Sequence, residues 1–160
     1  MEDQKWIKRF MHLTSEIAKW SKDPSRKIGA IIVGNYKQII SQGYNGFPRG
    51  VNDSDERYQD RETKYKFVVH AEMNAILNAL YNGSSVKGST IFVSGLPVCN
   101  ECAKAIIQSG IKEVIYLSDK YADTPATKAS KRMFDAAGVK YTKLFPEKKS
   151  LTLDFSEENI

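Results

Sequence analysis

The sequence predicts a three-layer α/β/α protein built on a five-stranded mixed sheet, and three observations carry that prediction. Four stretches repeat their apolar residues with helical period and five shorter runs are dense in strand formers. The two kinds of run succeed one another as α-β-β-α-β-α-β-α-β, which covers a sheet with helices on both faces. The two β-α-β successions in the second half require parallel strands joined by right-handed crossovers. A length of 160 residues, 41% of them hydrophobic and 27% charged, suits one domain over 1–160 and excludes disorder, collagen or coiled coil as a description of the whole chain.

Trp6, Phe10, Leu13, Ile17 and Trp20 stand at helical spacing, so the first twenty residues read as an amphipathic helix ending near Asp23 and Pro24. Residues 28–33 and 38–41 are strand-like, with Gly34-Asn35 as the turn of a β-hairpin. Residues 43–66 hold glycines, Pro48 and a dense mixture of charges with no sustained apolar period, and read as a long functional loop or a flexible insertion. Met73, Ile76, Leu77 and Leu80 mark a helix over 70–81 with that stripe toward the core, stopped by Asn82-Gly83. A strand over 90–94, a helix over 99–108 and a buried-type strand over 114–117 follow. A helix over 125–137 closed by Gly138 and a last strand over 139–145 complete the order. In the charged tail after Pro146, Leu151, Leu153 and Phe155 alternate, spaced to add an edge strand or to dock on a neighbour.

The chain carries 24 Lys plus Arg against 19 Asp plus Glu, a formal charge of +5 that favours an anionic ligand and leaves nucleic acid, nucleotide and plain solubility open. The first ten residues are charged throughout and are not expected to act as a signal peptide. The longest apolar stretch, residues 28–34, is far too short to span a bilayer. The expected compartment is therefore cytoplasmic, with no membrane partner. Only two Cys and two His are present, and Cys99 and Cys102 are three apart. A disulfide closing so short a loop would do little for the fold, so a cytosolic C-x-x-C reads as metal or redox chemistry.

On this layout His70 begins one helix and Cys99 and Cys102 open the next, so the three can meet where two helix N-termini converge. Free N–H groups and the helix dipole favour a thiolate there. One His and two Cys are three zinc ligands, the count of a catalytic site that keeps a position for water. His12, in the middle of the first helix, reads as an ordinary partly exposed residue. Glu72, two residues after His70, can reach the water that the metal activates without ligating the metal, and can carry its proton to a ring nitrogen and a leaving amine. An H-x-E segment followed by P-C-x-x-C is the signature of zinc nucleobase deaminases. A structural zinc would want a fourth ligand at knuckle spacing, and a redox pair would want its C-x-x-C after the first strand of a thioredoxin-like unit.

The segments His70-Ala71-Glu72-Met73-Asn74-Ala75-Ile76 and Cys99-Asn100-Glu101-Cys102-Ala103-Lys104 resemble the zinc motifs of the cytidine deaminase superfamily, and more closely those of deoxycytidylate deaminases. Asp23-Pro24-Ser25, Gly43-Tyr44-Asn45-Gly46-Phe47-Pro48, Thr63-Lys64-Tyr65 and the runs 106–116 and 118–121 resemble that family in the same order, so the likeness covers about residues 5–145. The resemblance implies a cytidine deaminase-like fold and the hydrolysis of dCMP to dUMP and ammonia, feeding thymidylate synthesis. By the same resemblance His70, Cys99 and Cys102 hold one zinc per subunit and Glu72 shuttles the proton. Asn45 would bind the deoxyribose 3′-hydroxyl, the alternative being a turn role beside Gly46. The Ala71 N–H would hold the pyrimidine, and Ser25, Arg26, Lys27, Lys120 and Tyr121 are the candidates for the phosphate.

Family members of this type also imply a homohexamer activated by dCTP and inhibited by dTTP, with magnesium beside the bound effector and Gly46 and Phe47 in the effector region. Two departures stand out. Val98 separates Pro97 from Cys99, and Val51 occupies the place where some relatives carry a Cys for a second zinc. The competing functions are a polynucleotide deaminase of the tRNA adenosine type and a non-catalytic zinc module that senses dNTPs. The acid-rich stretch 43–66 argues against a nucleic-acid partner.

Overall fold

The computed structural model describes residues 3–159. Its elements are α1 (Gln4–Ala18), β1 (Gly29–Val33), β2 (Ile39–Tyr44), α2 (Asp55–Gln59), α3 (Arg61–Phe67), α4 (Ala71–Tyr81), β3 (Thr90–Val93), α5 (Asn100–Gln108), β4 (Glu113–Tyr116), α6 (Pro125–Ala137) and β5 (Lys140–Lys143), with a 3-10 turn at Glu157–Asn159. The sheet order is β2-β1-β3-β4-β5. β1 is antiparallel to both β2 and β3, whereas β3, β4 and β5 are parallel, giving the expected five-stranded mixed sheet.

The crossovers through α5 and α6 step along the sheet in one direction, so right-handed connections set both helices on one face. Ala30, Ile32, Ile91, Val93 and Val114 turn to that face and pack with α4, α5 and α6. The alternate residues Ile31, Val33, Phe92 and Ile115 pack against α1 on the other. Burial on both faces explains why these strands read as unbroken apolar runs rather than as an alternation. Ile31, Ile32 and Ile91 are fully buried, each stabilising the fold by about 1.5–3 kcal/mol. Among the described residues no helix is long and apolar enough to cross a membrane.

Several expectations are corrected. α1 ends at Ala18, short of Asp23, because Ser21 and Asp23 are buried and spend their side chains on backbone outside the helix, Ser21 donating to the Asn45 carbonyl and Asp23 accepting the Ser25 N–H. Its inner face is Ile7, Phe10, Met11, Thr14, Ile17 and Ala18, leaving Leu13 and Trp20 exposed. The hairpin turn runs from Gly34 to Gln38 with Lys37 at φ 66°. β2 continues to Tyr44, and Gly43 is in the strand because a Cβ there would meet the backbone of Ala71 and Ala75. The stretch 43–66 is not structureless: α2 and α3 occupy its second part, sharing Asp60 as the cap between them. Helices of five and seven residues are too short to print a period in the sequence.

The largest correction concerns α4. Its buried face is Ala71, Glu72, Ala75 and Ala79, while Leu77 is 40% and Leu80 is 72% exposed. Small side chains let this helix lie close on β1 and β2, while Met73 and Ile76 pack half-buried at the edge of the core and Leu77 and Leu80 turn outward. Among the described residues the tail forms no strand, and Leu151, Leu153 and Phe155 are exposed.

Candidate active site

Two helix N-termini supply the first part of the site. His70 is the N-cap of α4 and Cys99 the N-cap of α5, and neither spends its side chain on capping. Cys102, in the first turn of α5, is 2% exposed. His70 Nδ1 lies 3.4 Å from Cys99 Sγ and 3.5 Å from Cys102 Sγ. The three ligand atoms fall within 4.8 Å of one another, and no other such group of His, Cys and carboxylates occurs among the described residues. Val98 is absorbed into the core, so the extra residue after Pro97 does not disturb the approach of either sulfur.

Electrostatics make this a donor set for a soft or borderline cation. A hydrogen bond from Cys102 first, and from His70 after it, holds the Cys99 thiol down to about 4 against the cost of burial. Cys102 is pushed the other way, by its bond to Cys99 and by burial. His70 is raised by its bond to Cys99, with Glu72 adding to the effect and burial opposing it. Two sulfurs and one imidazole nitrogen converging in this way fit zinc, and a three-residue ligand set leaves room for a fourth group. Glu72, 6% exposed, stands two residues after His70, and burial lifts its carboxyl above the usual range although the charge of His70 pulls it back. His12 is half-buried in α1 and takes no part.

These residues open into a cavity of about 360 Å³, lined by His70, Ala71, Glu72 and Cys99 together with a second group from the loops. Ala71 is the first residue of α4, where backbone N–H groups lack helical partners. Asn45 directly follows β2 and is 6% exposed. Its Oδ1 accepts the Ile28 N–H at 2.8 Å and its Nδ2 donates to the Arg26 carbonyl at 2.9 Å, so it orders the turn before β1 while one Oδ1 lone pair stays available. Asp23 Oδ1 accepts the N–H groups of Ser25 and Arg26 at 2.8 and 3.2 Å. Burial raises the Asp23 carboxyl, but the bonds from Lys64, Ser25 and Arg26 outweigh it and hold it below the usual carboxylate range.

Ser25, Arg26 and Tyr121 line the cavity as expected, whereas Lys27 and Lys120 are not in its lining. The Arg26 guanidinium lies 5.0 Å from the Tyr121 ring centroid and donates to the Tyr121 hydroxyl at 3.3 Å. Tyr121 holds φ 68°, a left-handed conformation that costs a non-glycine residue about 1–3 kcal/mol and concentrates at functional sites. Gly46 pairs with Val69 as an isolated antiparallel bridge, and Phe47 stacks on Tyr58 at 4.5 Å and meets Phe67 edge-on at 5.6 Å. Both residues anchor the α2–α3 segment and stay out of the cavity lining. Sequence reasoning gave no role to Asp23, Lys64, Tyr65, Val68, Thr124 or Thr127, all of which line it. The Asp-Pro-Ser turn signal marked Asp23, while nothing local marks Lys64, which reaches Asp23 from 41 residues away.

Comparison with known proteins agrees with this geometry. Residues 4–118 match the family model described as the cytidine and deoxycytidylate deaminase zinc-binding region. The chain is 48% identical over 160 residues to a probable deoxycytidylate deaminase of Drosophila melanogaster, covering 94% of this chain and 77% of that one. It is 42% identical over 159 residues to the deoxycytidylate deaminase of Homo sapiens, covering 96% and 88%. Among solved structures, the dCMP deaminase of the cyanophage S-TIM5 in complex with dCMP and dUMP superposes with a TM-score of 0.73 at 26% identity, over 90% of this chain and 100% of that one.

Proposed function

The chain belongs to the cytidine and deoxycytidylate deaminase family, and on that premise we propose that it hydrolyses dCMP to dUMP and ammonia within a single domain over 1–160. The observation that carries this reading is one cavity joining a His-Cys-Cys cluster and a buried carboxylate to Ser25, Arg26 and Asn45. The relatives named as deoxycytidylate deaminases and the neighbour solved with dCMP and dUMP support it.

His70, Cys99 and Cys102 would hold zinc, one ion per subunit. When bound, zinc supplies the Lewis acidity that makes water a nucleophile at neutral pH. Glu72 takes a proton from the attacking water and delivers it to N3 of the ring, then takes the remaining proton from the oxygen now on C4 and gives it to the departing amine, so that C4 becomes a carbonyl as ammonia leaves. Its burial suits the relay, because a carboxyl lifted above its usual range can hold the proton between the two transfers. The Ala71 N–H holds the pyrimidine. The spare Oδ1 lone pair of Asn45 accepts from the 3′-hydroxyl. Ser25, Arg26 and Tyr121 receive the phosphate, with Lys27 and Lys120 adding charge outside the lining.

Lys64, Tyr65 and Val68 bring the α2–α3 segment into the lining, which supports a small enclosed substrate over a polynucleotide strand. The family resemblance further supports dCTP activation and dTTP inhibition at a site near Gly46 and Phe47 with magnesium, a homohexamer, and a cytoplasmic location. The test is a substrate panel of dCMP, CMP, dCTP and deoxycytidine, assayed for ammonia with and without dCTP and dTTP. Glu72→Gln is expected to lower kcat on dCMP by roughly 10²–10⁴-fold while zinc content stays unchanged. No release from dCMP by zinc-loaded protein, with or without dCTP, would sink the proposal.

A further inference from the structure

Asp23 poses a problem for any cavity that receives a phosphate. Its side chain is 4% exposed, and the turn after α1 depends on it for the N–H bonds of Ser25 and Arg26. Asn45 Nδ2 adds a longer contact to the other carboxylate oxygen at 3.4 Å. The carboxyl is held below its usual range and is therefore charged at neutral pH. An uncancelled charge there would stand among the residues that receive a dianion and repel it.

The structure supplies the counter-charge from a distant element. Lys64, on α3, places its Nζ 2.8 Å from Asp23 Oδ1 and 3.0 Å from Ser25 Oγ, with a side chain that is 13% exposed. The two cations of the lining thus differ in their tasks. Lys64 pairs with the carboxylate, while Arg26 rests on Tyr121 and bonds its hydroxyl, which leaves the charge of Arg26 for the ligand.

We infer that Lys64 is a positioning and specificity residue: by cancelling Asp23 and tying down Ser25 it makes the cavity accept a phosphorylated nucleotide in preference to the nucleoside. The inference rests on the deaminase reading above for the identity of the nucleotide. Lys64 acts through Asp23, so its removal harms affinity for the anion and spares the proton relay at Glu72.

Calorimetric titration of the zinc-loaded protein with dUMP, inorganic phosphate and deoxyuridine tests this without turnover, and KM and kcat for dCMP are measured beside it. Lys64→Met should weaken dUMP and phosphate by about tenfold or more, since an unpaired buried carboxylate then faces the anion, and leave deoxyuridine affinity within about twofold of wild type. KM for dCMP should rise in step, with kcat little changed. The double variant Asp23→Asn with Lys64→Met removes both charges and should regain most of the lost dUMP affinity. Should Lys64→Met not fold, Lys64→Gln, which keeps a donor to Asp23, carries the same comparison. Equal weakening of dUMP and deoxyuridine, or a double variant as poor as the single one, overturns the inference. A wild type that binds dUMP in this pattern yet never deaminates dCMP would overturn the proposed function and leave the role of Lys64 standing.

Discussion

The residues proposed for chemistry and those proposed for recognition meet at one cavity but are built in opposite ways. His70, Glu72, Cys99 and Cys102 come from the first turns of two helices, α4 and α5, whose N-termini are anchored to the sheet by buried Ala71, Ala75, Ala103 and Ile106. Asp23, Ser25, Arg26, Asn45 and Tyr121 come from separate connections and Lys64 from the short helix α3, held to one another by side-chain hydrogen bonds. Bond-making chemistry tolerates little misplacement and is carried on regular elements, whereas ligand shape is read by loops that a rigid scaffold presents.

That contrast can be broken from either side. Chelation attacks the helical part as a whole: ammonia release from dCMP should fall to background and return with added zinc. A group bound at a thousandfold its Kd contributes roughly 4 kcal/mol of stability, and each kcal/mol is about 2–4 °C in a domain of this size, so the melting temperature should drop by about 8–16 °C. Full activity in protein shown to be zinc-free would refute the metal assignment.

Asn45→Ala attacks the recognition part. The Ile28 N–H and Arg26 carbonyl then lose their partners, at about 1–3 kcal/mol of stability, measurable by denaturant titration together with a fall in kcat/KM for dCMP. Unaltered stability would mean that the turn does not depend on this side chain.

The smallest effect is a pH dependence. The Asp23 carboxyl is lowered in the folded state, so the unfolded chain binds more protons between the two pKa values and stability rises with pH there. Its contribution is complete above the ordinary carboxylate value of 3.8 and is lost as pH falls through the lower, folded one. Melting curves from pH 2.5 to 5 should show a shallower acid limb in Asp23→Asn, and identical limbs would count against the Lys64 pairing.

How much of this was legible in the sequence differs by element. α6 is marked at both ends, by Pro125 at its start and by Gly138 at φ 71° after it, and its boundaries agree. The parallel half of the sheet follows from alternating elements alone. α4 misleads, because Met73, Ile76, Leu77 and Leu80 form the better apolar stripe while the helix packs through alanines against Gly43. Apolar bulk marks a buried face only where there is room for it, and close helix–sheet contact selects small residues instead. α2 and α3 escape for a related reason: Phe47, Tyr58 and Phe67 hold them by ring contacts between residues up to twenty apart, which no local period records.

The sequence by itself determined the order of the four longer helices and five strands, the mixed sheet and the His-Cys-Cys group with its neighbouring carboxylate. Each of these is written in short-range spacing, and local hydrogen bonding converts such spacing directly into helix starts and strands. Only the tertiary structure decided which distant residues meet: that Lys64 and not Lys27 or Lys120 lines the cavity and reaches Asp23, that Asn45 bonds the turn before β1, and that Arg26 meets Tyr121. Those contacts join residues 17 to 95 positions apart. Their partners are chosen by how the chain packs, a property of the whole core that no window of sequence contains.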